Sequence, residues 1–262
     1  MKELFESQKK ELAESLRYAG CIQKALLPSD FTINKLLKDY FIFFQPRDIV
    51  SGDFYWFARK ADLVYIAIGD CTGHGIPGAL LSVLGISFLN NIIDNQSFIL
   101  ASPILNMLRE HIMKALNQTG IMDEQKDGID LSVCVFNEKK RELNFSGAFH
   151  PIFIVRSEKE LIEINGDKMQ IGIAADEEQP FTNHVINLNE GDMIYLFTDG
   201  FVDQFGGPQG KKFKFSNFRN MLKKIYPLTA NEQKEQLKQT FNNWKGDQPQ
   251  LDDILVFGLK IN

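Results

Sequence analysis

Apolar and polar positions follow two different rhythms along this chain, and the change of rhythm divides it. Residues 2–27 are rich in Glu, Lys, Gln and Leu, and Phe5, Lys9, Leu12, Leu16, Ala19, Gln23 and Leu26 follow alternating four- and three-residue steps. That spacing predicts an amphipathic helix, ended by Pro28, which either lies on a domain or forms the last turns of a coiled coil. Lys9 and Gln23 interrupt its seam. From Tyr40 onward, short apolar runs bounded by turn residues predict strands at Tyr40–Phe44, Asp53–Phe57 and Leu63–Ile68. Two helices are expected next. One runs from Pro77 to about Asn95. The other starts at Ser102-Pro103, read as an N-cap and first-turn proline, with Ile104, Leu105, Leu108, Ile112 and Leu116 on one face.

A β-meander is expected to follow, through Leu131–Phe136, Glu142–Phe145, Ile152–Val155, Leu161–Ile164, Thr182–Leu188 and Met193–Phe197. A helical stretch spans about Phe215–Ile225. Another opens with the capping box Thr229-Ala230-Asn231-Glu232 and runs to Trp244, before a last strand at Ile254–Leu259. Strands gathered in one region with helices in pairs predict an α+β sandwich and not an alternating βαβ sheet. The chain therefore divides into an N-terminal helix, residues 1–28, and one domain, residues 29–262.

Composition adds exclusions. The chain has 262 residues, 44% hydrophobic and 24% charged, enough for a substantial core. A net charge of −5 without a basic stripe argues against nucleic acid as the main partner. The charged N-terminus lacks a secretory core, and the best membrane candidate, Ala79 to Ile93, reads as too short and broken by Asn90-Asn91. Cys21, Cys71 and Cys134 are odd in number and widely spaced, so no disulfide framework is implied. A cytoplasmic protein that is not inserted in a membrane is expected.

Candidate chemistry lies in four acidic stretches: Ser51-Gly52-Asp53, Gly69-Asp70-Cys71, Thr198-Asp199-Gly200 and Leu251-Asp252-Asp253. Each places an aspartate at one end of a strand-like run, where a rigid scaffold can hold reactive side chains. Taken singly, Asp53, Asp199, Asp252 and Asp253 are as well explained by a turn or a strand start, whereas Asp70 is more specific, because an apolar strand delivers it into a glycine-rich loop. If they converge, two unit charges about 4 Å apart repel by roughly 4 kcal/mol at an effective dielectric near 20. Convergence then demands raised pKa values or bound cations, and hard divalent ions suit an all-oxygen set.

Gly73-His74-Gly75-Ile76-Pro77-Gly78 fits the G-x-G-x-x-G pattern of dinucleotide sites, but Asp70 would oppose a pyrophosphate and no βαβ unit surrounds it. The turn is better read as serving Asp70, with glycines that allow positive φ and a helix N-terminus beyond. His74, His111, His150 and His184 show no zinc-ligand spacing, and no C-x-x-C, G-x-S-x-G or Walker loop occurs.

In order, the segments from Pro46 to Trp56, from Gly69 to Ala79, from Leu196 to Gly200 and Asp252-Asp253-Ile254 resemble those of the SpoIIE/RsbU-type protein serine phosphatases. These are a bacterial branch of the metal-dependent (type 2C) superfamily, and the resemblance covers roughly residues 40–261. Gly147-Ala148-Phe149-His150-Pro151 resembles a further segment of that family. The resemblance implies two mostly antiparallel sheets flanked by helical pairs in α-β-β-α layers, with the extra N-terminal helix similar to a linker from a sensor domain. It also implies two divalent ions, Mn²⁺ or Mg²⁺. Asp70 would bridge them, Asp53 and the Cys71 carbonyl would complete one site, and Asp199 and Asp252 the other. Asp253 is expected to stand behind the ligands. Asp70, Asp53 and Asp199 are the residues on which catalysis is expected to rest. No arginine stands at the phosphate-clamp spacing of the eukaryotic relatives, Arg47 being near but not aligned.

The implied reaction is hydrolysis of phosphoserine or phosphothreonine on a signalling protein, an anti-sigma-factor antagonist by analogy, by a metal-activated water without a phosphoenzyme. An upstream sensor is the implied partner. An idle phosphatase-like scaffold is the alternative, and dimerisation through residues 2–27 is a further expectation.

Overall fold

The computed structural model describes residues 2–119, 126–157, 159–173 and 179–262, without the side chains of Glu3 and Leu4. Met1 lies outside the described residues. Two antiparallel sheets of five strands stack face to face. The first has the order β2-β3-β4-β5-β8: β2 Phe54–Lys60, β3 Leu63–Cys71, β4 Ile129–Asn137, β5 Glu142–Ala148 and β8 His184–Asn187. The second has the order β1-β12-β9-β6-β7: β1 Tyr40–Gln45, β12 Ile254–Lys260, β9 Met193–Phe197, β6 Ile152–Val155 and β7 Leu161–Ile164.

The period of two along each strand builds three apolar layers from these sheets. On β3, Val64, Ile66 and Ile68 face the other sheet and meet Leu196, Leu255 and Phe257, while Tyr65 and Ala67 face outward. Outside the first sheet lie α3 Ile76–Asn95 and α4 Ser102–Ala115, packed over Tyr65, Leu131 and Val133. Outside the second lie α6 Phe215–Ile225 and α7 Ala230–Lys245, over Tyr195, Phe197 and Val256. Both faces of each sheet are covered, so the central strands read as unbroken apolar runs. The expected α-β-β-α layering holds, as does the capping box at Thr229 and Glu232.

Several expectations are corrected. The meander is not one sheet: β4 and β5 pair, β6 and β7 join the opposite sheet, β8 returns and β9 crosses again. The chain leaves the first sheet where Phe149 adopts φ 56° and His150 N–H bonds back to the Ala148 carbonyl at 2.6 Å, a bend invisible to hydrophobic periodicity. Ser102 does not cap α4. It lies inside the helix, and Asn183 Oδ1 accepts from the Ala101 and Ser102 amides at 2.8 and 3.4 Å from across the fold.

The helix expected from Pro77 to about Asn95 runs Ile76–Asn95, but its apolar stretch is longer than the Ala79 to Ile93 reading allowed. Its 20 residues include an 18-residue window with mean hydropathy 1.7, long and apolar enough by length and composition to cross a membrane, though 50% of that window is buried within the fold. Asn90 does not break it, because Trp56 Nε1 donates to Asn90 Oδ1 at 2.7 Å. Three short elements escaped the sequence pattern: α2 Asp30–Asn34, α5 Gly200–Asp203 and the hairpin of β10 Phe205–Gly206 with β11 Lys211–Lys212.

The N-terminal helix, α1, runs Lys2–Leu26. Tyr18 and most residues before it are exposed, and only Gln23 and Leu27 near its end are buried. Gln23, which interrupts the apolar seam, is the residue that docks the helix. Its Nε2 donates to the Ser51 carbonyl at 2.5 Å and to Ser82 Oγ at 2.9 Å, and Ser51 N–H donates to its Oε1 at 3.0 Å.

Candidate active site

Strand register brings the acidic stretches together. Phe54 pairs with Gly69, which puts Asp53 and Asp70 side by side at one end of the first sheet. In the second sheet Val256 pairs with Phe197, and the Thr198 amide bonds to the Leu255 carbonyl at 3.0 Å, which puts Asp199 beside Asp252 and Asp253. Both ends open on the same side of the sandwich. There Thr198 Oγ1 donates to Asp53 Oδ2 at 2.6 Å, joining the two sheets through the site.

Asp253 acts behind this pair. Its Oδ1 accepts from the Arg47 amide and its Oδ2 from the Gly52 amide, both at 2.7 Å, fixing the loop that delivers Asp53. Glycine at position 52 is a matter of space. A Cβ there would stand 2.9 Å from the Gly73 carbonyl and 3.2 Å from that of Cys71, so the loops on either side of the site could not approach. Arg47 Nη1 donates to the Leu251 carbonyl at 2.8 Å, and its Nε stands 3.8 Å from Asp48 Oδ2.

The carboxylates oppose one another. Burial first, and then the charge of Asp70, push Asp53 well above the usual carboxylate range, against the lowering effect of the Thr198 bond. Burial and the charges of Asp199, Asp252 and Asp130 raise Asp70 likewise, offset in part by a hydrogen bond with Asp53. Asp199, which is exposed, is raised to about 6 by desolvation on its protein side, by Asp203 and by Asp252, with Lys212 opposing the rise. Asp252 is raised by burial, with His74 and Arg47 opposing the rise. Among the described residues no ion pair joins a lysine, arginine or histidine to Asp53, Asp70, Asp199 or Asp252. The Cys71 thiol is buried and held protonated well above its ordinary range, which leaves its backbone carbonyl as the group able to serve a cation.

A cleft of about 200 Å³ opens over this centre, lined by Asp70, Cys71, His74, Asp130, Gln170 and Asp252 among others. Asp53 lies buried behind it, 2% exposed. Asp130 and Gln170 were not foreseen. Asp130 stands directly across the β3–β4 register from Asp70, and burial with the Asp199 charge raises it to about 7. An aspartate inside the apolar run Ile129-Asp130-Leu131 was the available signal; Gln170 offered none. Among the described residues no group of three or more Asp, Glu, His or Cys side chains is drawn together as a set that could hold a metal ion. The donor chemistry nevertheless fits hard cations: oxygen ligands only, mutual repulsion, raised proton affinity and, among the described residues, no ion pair to a basic side chain.

The family model for Stage II sporulation protein E (SpoIIE) matches residues 60–262. The phosphoserine phosphatase RsbU of Bacillus subtilis is 26% identical over 199 residues, which are 74% of this chain and 55% of that protein, so the chain spans about half of RsbU's length. The SiaA-PP2C domain of Pseudomonas aeruginosa is 30% identical, with a TM-score of 0.87 over 97% of this chain and 99% of that one. The catalytic domain of the serine/threonine protein phosphatase PstP, solved with two manganese ions, shares the fold with a TM-score of 0.58 at 16% identity, over 85% of this chain and 98% of that one.

Proposed function

Because the chain belongs to the SpoIIE family of PP2C-type phosphatases, we propose that it removes phosphate from phosphoserine or phosphothreonine on a signalling protein. The observation that carries this reading is the convergence of Asp53, Asp70, Asp199 and Asp252 at one end of the sandwich, mutually repelling and, among the described residues, without an ion pair to a basic side chain.

Two divalent ions, Mn²⁺ or Mg²⁺, fit that set. Asp70 would hold both, with Asp53 and the Cys71 carbonyl completing one site and Asp199 and Asp252 the other. Bound there, such ions supply charge neutralisation for phosphoryl oxygens and a more acidic water. The chain's own residues position this centre. Thr198 orients the Asp53 carboxylate, and Asp253 holds the Gly52 amide so that the loop cannot swing away. Among the described residues the hydroxyl in the cleft, that of Thr72, is engaged by the Gly128 backbone and not by a base, and the Cys71 thiol is buried and protonated, which supports direct attack by water. Without an arginine clamp, phosphate recognition falls to the cations and the backbone of Thr72 and Gly73 along the cleft.

Hydrolysis of p-nitrophenyl phosphate and of a phosphoserine peptide, measured with Mn²⁺ and again in excess EDTA, tests the reading. Metal-dependent turnover is expected. A folded protein inert under every metal condition would leave the idle-scaffold alternative. The motif resemblance to the SpoIIE/RsbU-type phosphatases is the ground for reading the substrate as an anti-sigma-factor antagonist and the upstream partner as a sensor. The N-terminal helix, residues 1–28, is read as a separate regulatory unit. Its exposed Phe5, Leu12 and Tyr18 support pairing with a second copy, since helices in proteins draw most of their stability from packing an amphipathic face. Sedimentation of the full chain and of a truncation lacking residues 1–18 tests this, and monomers in both exclude it.

A further inference from the structure

The run Lys211-Lys212-Phe213-Lys214 is a local basic exception in an acidic chain. Phe213 is buried, edge-on to Phe201 and Trp244 at ring-centroid distances of 5.1 and 5.2 Å. That aromatic base fixes the end of the β10–β11 hairpin and turns the neighbouring lysines outward. A cleft of about 450 Å³ opens there, lined by Lys211, Lys212, Lys214, Ser216 and Trp244, with no carboxylate among its lining residues. Lys212 Nζ is engaged by Asp203 Oδ2 at 2.7 Å. Lys211 and Lys214 are exposed and make no ion pair among the described residues.

A solvated lysine run is the ordinary content of a protein surface. Two further features set this one apart. The lysines flank a floor of packed aromatic rings, Phe201, Phe213 and Trp244, and the middle one, Lys212, is tied to the helical turn that follows Asp199. Asp203, the partner of Lys212, ends the single turn α5 that begins after Asp199, and its charge is felt by Asp199.

We propose that this cleft docks an acidic stretch flanking the phosphorylated residue of a protein substrate. The inference rests on the phosphatase reading above. The physical case is complementarity: on a chain of net charge −5, two unpaired lysines on either side of Lys212, whose partner Asp203 lies one helical turn from Asp199, are where a negatively charged segment meets attraction. The half-buried Trp244 adds an apolar wall. Rim charges of this kind act mainly on encounter and on substrate binding, and salt weakens them. The effect should therefore appear in KM and fall with ionic strength.

The test uses the full chain with Mn²⁺ and three substrates: p-nitrophenyl phosphate, a phosphoserine peptide flanked by Asp and Glu, and the same peptide flanked by Ser and Ala. Wild type is expected to favour the acidic peptide by about tenfold in kcat/KM, the size of two modest charge contacts. The Lys211→Glu/Lys214→Glu double variant should lose that preference, and so should Lys211→Gln/Lys214→Gln in smaller degree. Hydrolysis of p-nitrophenyl phosphate should stay within about twofold in both, which also reports that they fold. The proposal is overturned if wild type shows no preference while hydrolysing p-nitrophenyl phosphate, or if either variant keeps the full preference. A wild type that hydrolyses none of the three overturns the phosphatase reading and this inference with it.

Discussion

The Thr198 hydroxyl donates to the Asp53 carboxylate at 2.6 Å across 145 residues of sequence, and the same oxygen accepts from the Leu255 amide at 3.1 Å. One buried side chain thus ties the end of β9, the start of β12 and the loop before β2. Thr198→Val keeps the shape and removes both bonds. It is expected to destabilise the fold by about 1–3 kcal/mol, because buried groups lose their partners. It should also weaken Mn²⁺ binding. Urea unfolding and calorimetric titration of the metal check the two effects separately.

Asp70→Asn and Asp199→Asn are each expected to abolish measurable turnover while leaving circular dichroism unchanged. Asp70 is crowded by Asp199, Asp252 and Asp130. The metal-free Asp70→Asn protein should therefore melt above metal-free wild type, as loss of like-charge repulsion requires. A lower melting temperature would show that Asp70 is held by something other than the proposed cations.

Metal removal should change how stability depends on pH. Asp130 and Asp199 are raised to about 7 and about 6 from 3.8, so the folded chain binds more protons than the unfolded chain across that interval. Their contribution is full below about pH 4 and is lost as pH rises through about 6 to 7. Cations that bind the ionised carboxylates should reverse this slope. Thermal melts in EDTA and in Mn²⁺ at pH 4.5 to 8 are expected to diverge as pH rises, and parallel curves would contradict the shared site.

His150 works in the opposite direction. It is buried, and desolvation lowers it to about 4 from 6.5, against a bond with the Ile68 carbonyl. The folded chain therefore binds fewer protons between those values. Stability from this group is full above about pH 6.5 and falls by roughly 3 kcal/mol as pH drops to about 4. His150→Asn should cost stability at pH 7 and flatten that part of the acid limb, in EDTA and Mn²⁺ alike.

Gln23→Ala should free α1 from the catalytic domain. The side chain satisfies both the amide and the carbonyl of Ser51, two residues from Asp53. Its removal is expected to cost about 1–3 kcal/mol in buried unsatisfied groups. Faster hydrogen exchange should appear in residues 19–27 and 49–53 together. Exchange confined to the helix would show that its docking does not reach the Asp53 loop.

Local patterns in the sequence determined most of the elements. Periods of two and of three to four placed the strands and helices within a few residues, and Thr229 with Glu232 marked a cap that needed only its own neighbours. The aspartates were legible because each closes or opens an apolar run. Tertiary structure alone decided what lies between sheets and across the site. The crossing after Phe149 depends on one left-handed residue, the cap of α4 comes from Asn183, and Gln23 reads as a flaw in a seam until Ser51 and Ser82 meet it. Asp130 became a member of the centre only through its register opposite Asp70. Backbone rhythm is set by neighbours in the chain, whereas a hydrogen bond over 145 residues or a charge raised by another charge exists only once the sheets have closed on one another.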